Sequence, residues 1–255
     1  MKVIEILLII FVLLIGFLAG VLNVLAAGGS LLTLPMLIFL GLPSAEANGT
    51  NRIGILVQNI TATTNFYRRG FVHTKVAFYL SIPAVIGSLI GASIAVKMTD
   101  RLFQVILAVI MLITLFFLIK KPIPEERLKK VAWETYAKKQ KVLGFFVFFL
   151  IGIYGGFIQV GVGFFILLAL TTIFHMSLFD SNIMKVVVVG LFIFLSLFIF
   201  IWNGQVNWLL GFILAIGNGL GAYVGSQLTI QKGEKWIKAA LFVTIILMSI
   251  KLIIE

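Results

Sequence analysis

The 255-residue chain has no cysteine, two histidines and few charges of either sign. Without cysteine it can form neither disulfides nor thiolate metal sites. His73 and His175 are too few for a histidine-rich metal centre. Charged residues make up 11% of the composition and hydrophobic residues 61%, which excludes an ordinary soluble domain. Because long apolar stretches recur from end to end, the sequence predicts a multi-pass protein of the cell membrane.

Patterns of catalytic and nucleic-acid-binding residues are also missing. There is no Ser/His/Asp set, no pair of catalytic carboxylates and no phosphate-binding loop, so we predict no catalytic residue, no metal and no cofactor. The net charge of +11 could point to nucleic acid, but the basic residues stand between apolar spans and form no aromatic-basic face. The positive-inside rule for membrane proteins explains this charge, and nucleic acid is not an expected partner.

What the chain does contain is an internal repeat, in which residues 45–99 recur at 179–233. A shift of 134 residues aligns Glu46 with Asp180, Asn48 with Asn182, Gly70 with Gly204, Gly87 with Gly221, and Gly91 with Gly225. A duplicated membrane unit with polar residues at matching depths is typical of a secondary transporter.

Ten hydrophobic segments divide the chain into a first membrane repeat (1–119), a basic cytoplasmic linker (120–142) and a second repeat (143–255). They lie at about 4–27, 31–42, 51–67, 76–97, 102–119, 143–162, 164–176, 184–202, 207–229 and 236–253. The second segment of each half is shorter than the about 20 residues of a full span. It is therefore either part of a broken helix at a binding site or a short tilted helix shielded by its neighbours.

The charges test how the two halves are oriented. Five crossings per half would turn the second half upside down. With the linker in the cytoplasm, alternation places fifteen Lys and Arg residues inside and five outside. Lys97 and Arg101 oppose this trend. We therefore predict an all-α polytopic fold of two inverted repeats with short broken helices.

Four GxxxG pairs occur at equivalent places in the two halves and predict close helix packing rather than chemistry. They are Gly16/Gly20, Gly152/Gly156, Gly87/Gly91 and Gly221/Gly225.

Polar residues interrupt the apolar pattern at the short segments. The first interruption contains Asn23, Gly28, Gly29 and Ser30, and the second contains Gln159, Gly161 and Gly163. Glycines at such a break leave main-chain N–H groups free, and a helix that starts at Ser30 points its positive end into the membrane. Each half therefore offers a carboxamide and a glycine break, which together suit an oxyanion.

A second polar group follows each interruption. Its members are Asn48, Thr50, Asn51 and Arg52 in the first half, and Asn182 and Lys185 in the second. Two interpretations of the cations are open. In the first, Arg52 pairs with Glu46 and Lys185 with Asp180, and both cations reach the headgroups. In the second, the pseudosymmetric cations form an anion site.

The starts of the two helices that carry these cations can also be predicted. Ser44 and Ser177 are expected to cap them, and Ser177 has capping-box spacing to Asp180. Glu46 and Asp180 are in addition the candidate partners of a coupling proton or sodium ion.

Longer motifs recur in order along both halves: the first half contains GGSLLTLPMLIFLGLPSAEANGTNR and FYRRGFV, and the second contains GIYGGFIQVGVGFF, NGQVNWLLGFILAIGNGLGAYVG and QKGEKW. Through these motifs the chain resembles the TauE/SafE family of sulfite and organosulfonate exporters, which are 4-toluene sulfonate uptake permease-like membrane transporters. The resemblance implies a two-repeat membrane fold and transport of sulfite, sulfoacetate and related anions. The second half has FDSNIMK where the first has AEANGTNR, so the glycine-threonine pair occurs once only.

The sequence therefore predicts a secondary transporter that exports small sulfur-containing anions across the cell membrane by alternating access. An uptake carrier for another small organic anion is the alternative, because direction does not show in a sequence. A membrane enzyme would need a catalytic set, and a non-transporting scaffold would not need polar residues at matching depths. The expected partners are a small anionic substrate, the lipid bilayer and a coupling proton or sodium ion. The sequence predicts no oligomeric state.

Overall fold

A computed structural model describes residues 2–25, 28–120 and 132–232. This part of the chain folds into nine α-helices and contains no strand, which confirms the all-α prediction. The helices are α1 (Lys2–Leu25), α2 (Ser30–Phe39), α3 (Ser44–Arg68), α4 (Thr74–Ala95), α5 (Asp100–Lys120), α6 (Lys138–Phe157), α7 (Val162–Ile173), α8 (Leu178–Trp202) and α9 (Trp208–Lys232). A short 3₁₀-helix at Trp133–Thr135 precedes α6. The predicted tenth segment, 236–253, lies outside the described residues.

Five of these helices are long and apolar enough to cross a membrane: Glu5–Leu25, Thr74–Ala95, Lys138–Phe157, Leu178–Trp202 and Trp208–Gln231. Helices α2 and α7 are shorter apolar helices, as predicted. Helix α3 has 25 residues, so its length would suffice, but it carries many polar side chains and is less apolar than these five. The chain is thus a polytopic membrane protein.

Helices α3 and α8 extend beyond their apolar segments. They begin at Ser44 and Leu178, well before the apolar segments that start at about 51 and 184, and at or next to the predicted caps Ser44 and Ser177. The polar residues that precede each apolar run therefore belong to the helix. Helix α6 begins at Lys138, inside the predicted linker 120–142. The limits of the two repeats and the linker as units stay predictions.

The predicted caps of α3 and α8 had opposite outcomes. Ser177 caps α8, because its Oγ accepts a hydrogen bond from the N–H of Asp180 at 3.0 Å. The prediction for Ser44 is wrong, since Ser44 is already the first helical residue and follows Pro43. The N–H of Ser44 is satisfied from outside the helix by Asp100 Oδ1, at 2.7 Å.

The GxxxG glycines bring helix backbones into close contact, as predicted. A Cβ on Gly20 would collide with the carbonyl oxygen of Asn218, and one on Gly221 would collide with that of Phe17, so α1 packs directly on α9. The equivalent pair, α4 and α6, repeats this arrangement, because a Cβ on Gly152 would collide with the carbonyl oxygen of Ala84. Small residues permit this approach where lipid supplies no hydrophobic force between helices.

The helices contact one another in a pattern that is unchanged when the two halves are exchanged. Helix α1 packs on α9 as α6 packs on α4, α3 packs on α9 as α8 packs on α4, and α3 packs on α8. Hydrogen bonds and close contacts show that α1, α3 and α9 run in one direction, and α4, α6 and α8 in the other. Corresponding helices therefore run in opposite directions, as inverted repeats require. How the halves are placed across the bilayer stays a prediction.

Ionisable side chains from the linker end, α4 and α8 gather at one end of this bundle. His73, at the start of α4, lies 3.3 Å from Asp180 of α8, and Lys75 donates to Glu134 Oε1 at 2.7 Å. The hydrogen bond from Lys75 lowers the pKa of the exposed Glu134 carboxyl. Burial raises the pKa of the Tyr136 phenol to about 12. The end of the linker thus lies beside the start of α4.

Candidate functional site

Helical structure is interrupted at both predicted places. Helix α1 is described to Leu25 and α2 begins at Ser30, and we call Gly28 and Gly29, which precede α2, together with the end of α1 the first break. Helix α6 ends at Phe157 and α7 begins at Val162, and we call the segment between them the second break. These interruptions confirm the predicted broken helices. That the two breaks share one cavity stays a prediction.

The second break contains a glutamine in an unusual backbone conformation. Gln159 has a φ of +70° and is 1% exposed, and neither its Nε2 nor its Oε1 has a hydrogen-bond partner. Gly161 reaches the left-handed region too, at φ +72°, where glycine meets no steric penalty. Strained non-glycine residues persist where the surrounding structure requires them, often at binding sites. Gln159 is therefore a candidate for ligand contact.

Arg52 of α3 is fully buried beside this break. Its Nη1 donates to Ser196 Oγ of α8 at 2.8 Å, and its Nη2 donates to the carbonyl oxygens of Gly155, at 3.2 Å, and Gly156. The guanidinium also lies over the ring of Phe200, 4.5 Å from the centroid. Its Nε has no partner. Arg52 thus joins α3, α6 and α8 without using all of its donors.

Lys185 of α8 occupies the equivalent position at the first break, where it is 3% exposed. Its Nζ donates to the carbonyl oxygen of Asn23 at 2.8 Å and to Oδ1 of Asn182 at 2.7 Å. The Nδ2 of Asn182 donates to the carbonyl oxygen of Val24 at 2.8 Å. In the first half Asn48 repeats this last contact, since its Nδ2 donates to the carbonyl oxygen of Phe157 at 2.6 Å.

Each cation therefore lies at the C-terminal end of the helix that precedes a break. The last carbonyl groups of a helix have no partner within it and carry the negative end of the helix dipole. Arg52 and Lys185 satisfy these carbonyls with charge, and Asn48 and Asn182 satisfy them with carboxamides. This arrangement explains how two cations can be buried at these positions.

The alternative in which the cations pair with carboxylates and extend to the headgroups is wrong. Arg52 and Lys185 are buried, and neither lies within ion-pair distance of a carboxylate in the part of the chain that the structure describes, where Asp180 contacts His73 and Glu134 pairs with Lys75. Glu46 is half-buried and makes no ion pair with Arg52. Neither cation is therefore a loop charge of the kind that the positive-inside rule counts. A coupling role for Glu46 and Asp180 stays a prediction.

The remaining predicted residues fall into three groups. Asn51 lies one turn after Asn48 on α3, and both ends of its carboxamide are buried and unpaired. Gly28, Gly29 and Gly161 are buried at the breaks, and Ser30 and Gly163 are buried in the first turns of α2 and α7. Thr50 points elsewhere, because its Oγ1 accepts from the N–H of Asn207 at the start of α9, at 2.8 Å.

Sequence reasoning missed two residues that shape this site, Ser196 and Phe200, which contact the Arg52 guanidinium. Gln58, which belongs to the same polar stretch of sequence as Arg52, accepts a hydrogen bond from Asn23 Nδ2 at 3.3 Å. A lone serine in an apolar run such as LFIFLSLFIF is a weak signal for a buried polar contact. Nothing in the sequence indicates that this serine faces Arg52.

Most of the chain is similar to proteins described as probable membrane transporters. The model of the family described as "Sulfite exporter TauE/SafE" matches residues 12–252. The chain belongs to this family. It is 30% identical to the "Probable membrane transporter protein YfcA" of Escherichia coli (strain K12), over 94% of this chain and 88% of that protein. It is 27% identical to a "Probable membrane transporter protein" of Haemophilus influenzae, over 94% and 92%. No solved structure matches the chain.

Family membership and the apolar helices agree on the general function. The protein is a membrane transporter of the TauE/SafE family, which confirms the predicted class and its place in the cell membrane.

Proposed function

We propose that this TauE/SafE transporter carries a small sulfur-containing oxyanion, sulfite or an organosulfonate, and that the anion binds at the second break beside Arg52. The observation that carries the proposal is a buried guanidinium with no carboxylate partner among the described residues. Unpaired polar atoms occur on the residues next to it: Arg52 Nε, Asn48 Oδ1, and the carboxamides of Asn51 and Gln159.

The charge balance of the site favours an anion. Burying an unpaired cation costs several kcal/mol, and a favourable helix terminus returns up to about 2 kcal/mol. The carbonyl groups of α6 therefore offset only part of the cost for Arg52. A bound anion would supply the missing negative charge, and its binding would be strengthened by the low dielectric of the interior.

The donors present suit an oxyanion with several oxygens. A guanidinium presents N–H groups in a fixed planar fork that matches such a group. The carboxamides of Asn51 and Gln159 can each present two N–H donors, which a desolvated sulfonate needs in exchange for lost water. Family membership supports sulfite or a sulfonate within this class, and it is also the basis for proposing export rather than uptake.

The pseudosymmetric arrangement supports alternating access. Each break joins a helix of one half to the helix of the other half that carries the buried cation, α6 to α3 and α1 to α8, so relative motion of the halves would open or close both breaks. In this mechanism the protein binds and releases the anion without changing it chemically. An uptake carrier for another small anion is the second candidate, because the same donors would bind a carboxylate.

Flux into proteoliposomes tests this proposal. Purified protein would be reconstituted and offered sulfite, sulfoacetate, taurine, sulfate and acetate under matched gradients. We expect saturable flux of sulfite or sulfoacetate, with little flux of acetate, and a loss of that flux in Arg52→Gln protein. Flux of carboxylates alone would favour the second candidate, and an absence of flux for all five compounds would refute the proposal.

A further inference from the structure

A line of polar side chains follows the interface between α3 and α9, away from the breaks and toward the Arg69 end of the molecule. We call this line the α3–α9 seam, and it consists of Gln58, Thr61 and Asn65 from α3 with Asn218 and Ser226 from α9. Gln58 connects it to the first break through the hydrogen bond from Asn23, whose carbonyl oxygen binds Lys185.

At its inner end the seam has a buried carboxamide without a partner. Asn218 is 1% exposed, and neither its Nδ2 nor its Oδ1 makes a hydrogen bond. Its side chain approaches α3 at Gly54, where a Cβ would lie 2.5 Å from Asn218 Nδ2. Its backbone packs on α1 at Gly20. The structure therefore encloses a polar group that it does not satisfy.

The other half of the molecule provides a comparison, because α8 and α4 form the equivalent interface. At the shift of 134 residues the seam residues correspond to Phe192, Leu195 and Ile199 on α8 and to Ala84 and Ala92 on α4. Every one of these counterparts is apolar. The three serines of α4 bond only to main-chain carbonyl oxygens: Ser81 to that of Ala77, Ser88 to those of Val85 and Phe192, and Ser93 to that of Leu89.

Packing of the two helices therefore does not require polar side chains at these positions, since the α8–α4 interface forms without them. Hydrogen bonds between membrane helices add little to the stability of the fold, and a buried amide without a partner lowers that stability. Polar residues within a membrane that the packing does not need mark substrate or ion pathways.

We propose that the α3–α9 seam is the passage by which the anion moves between the Arg69 end of the molecule and the breaks. This inference rests on the proposed function. The entrance is basic, because Arg68 and Arg69 are exposed there, and basic entrances concentrate small anions. The counterpart of Arg69 in the other half is Asn203, which has no charge.

The passage is closed in the structure by two hydrogen bonds between the helices. Asn65 Nδ2 donates to Ser226 Oγ at 2.7 Å, and Arg69 Nη2 donates to Gln227 Oε1 at 3.0 Å. Both can exchange for bonds to water or to the anion when α3 and α9 separate. Opening of this seam is the motion by which the central site becomes accessible from that end.

The test uses the natural absence of cysteine. Single variants Asn65→Cys and Thr61→Cys, with the matched controls Ile199→Cys and Leu195→Cys, would be reconstituted in vesicles. Each would be treated with 2-sulfonatoethyl methanethiosulfonate, a thiol reagent that is itself a small sulfonate. We expect the thiols of the seam variants to react at least tenfold faster than those of the control variants. Added sulfoacetate should slow the reaction of the seam thiols. Reaction after denaturation in detergent shows that every thiol is present.

A cationic methanethiosulfonate of similar size tests the preference for anions. For each reagent, the rate at a seam cysteine is divided by its rate with a free thiol in solution. This ratio should be larger for the anionic reagent than for the cationic one. Equal rates for seam and control positions, or faster reaction of the cation, would overturn the proposal. Labelling does not depend on flux, so the two proposals fail separately: flux of sulfonates without labelling refutes the seam, and labelling without flux refutes the proposed function.

Discussion

The two breaks are equivalent in the repeat, yet their polar groups are used differently. At the first break, Asn182 uses both ends of its carboxamide, on Lys185 and on the carbonyl oxygen of Val24. Asn23 donates to Gln58 and accepts from Lys185. At the second break, by contrast, the carboxamides of Asn51 and Gln159 make no hydrogen bond, and neither does Arg52 Nε or Asn48 Oδ1.

The difference indicates that Lys185 serves to hold the helices together, whereas Arg52 can also bind a ligand. At the break near Lys185, the ammonium group and the Asn182 carboxamide have partners, and the unpaired polar atoms beside them are the single hydroxyls of Thr33 and Ser181, so an anion would gain fewer new hydrogen bonds there. The break near Arg52 retains donors that only a ligand or water can satisfy, and unpaired buried groups are costly enough to need such an explanation. A pseudosymmetric protein thus need not have a symmetric binding site.

The largest expected effect is a difference between the two cations. Arg52→Gln removes the charge-assisted contact to the anion, which is worth roughly 1.5–3 kcal/mol. The anion concentration that gives half-maximal flux, the half-saturation concentration, should therefore rise about ten- to a hundredfold. Lys185→Gln should change the half-saturation concentration by less than about threefold. It should instead lower the melting temperature, because Asn182 Oδ1 and the Asn23 carbonyl lose their donor.

Arg52→Lys is the control for charge. It retains the cation without the planar fork, so its half-saturation should lie between those of the natural protein and Arg52→Gln. Equal losses of affinity in the Arg52→Gln and Lys185→Gln proteins would show that the breaks share the anion, and the contrast drawn between them would be wrong.

The next effect isolates the strained residue of the second break. Gln159→Gly removes a carboxamide at φ +70°, where glycine is free of strain. The melting temperature should therefore stay the same or rise. The half-saturation concentration should rise about tenfold, because a donor to the anion is lost. Flux and thermal unfolding of the same preparation measure the two effects together.

His175→Gly is the matched control, since His175 also has a positive φ, of 50°, and lies outside both breaks. Its half-saturation should match that of the natural protein. If Gln159→Gly leaves affinity intact and lowers the melting temperature, Gln159 serves the fold alone.

The sequence predicted those parts of this comparison that depend on pattern. Apolar segments located the helices, short segments located both breaks, and the GxxxG pairs identified close packing of α1, α4, α6 and α9 but not which of these helices meet. Sequence could not identify the partners of Arg52, because two of them are main-chain carbonyl oxygens, of Gly155 and Gly156, which every residue possesses. The interpretation with carboxylate partners failed for this reason.

The smallest expected effect concerns the starts of the helices that carry the two cations. Ser177→Ala removes the side-chain oxygen that accepts the N–H of Asp180, and loss of such a cap costs about 1 kcal/mol. For a chain of this size that corresponds to a fall of about 2–4 °C in melting temperature. Ser44→Ala should cost less than about half as much, because Ser44 caps nothing and its N–H still reaches Asp100. Ser177→Thr, which keeps a capping hydroxyl, should recover most of the loss, and neither alanine variant should alter the half-saturation concentration.

A cap matters more for α8 than for α3, because the first turn of α3 receives a carboxylate from Asp100 at the start of α5. Equal destabilisation by the two alanine variants would show that the halves begin these helices in the same way, and that their difference is confined to the breaks.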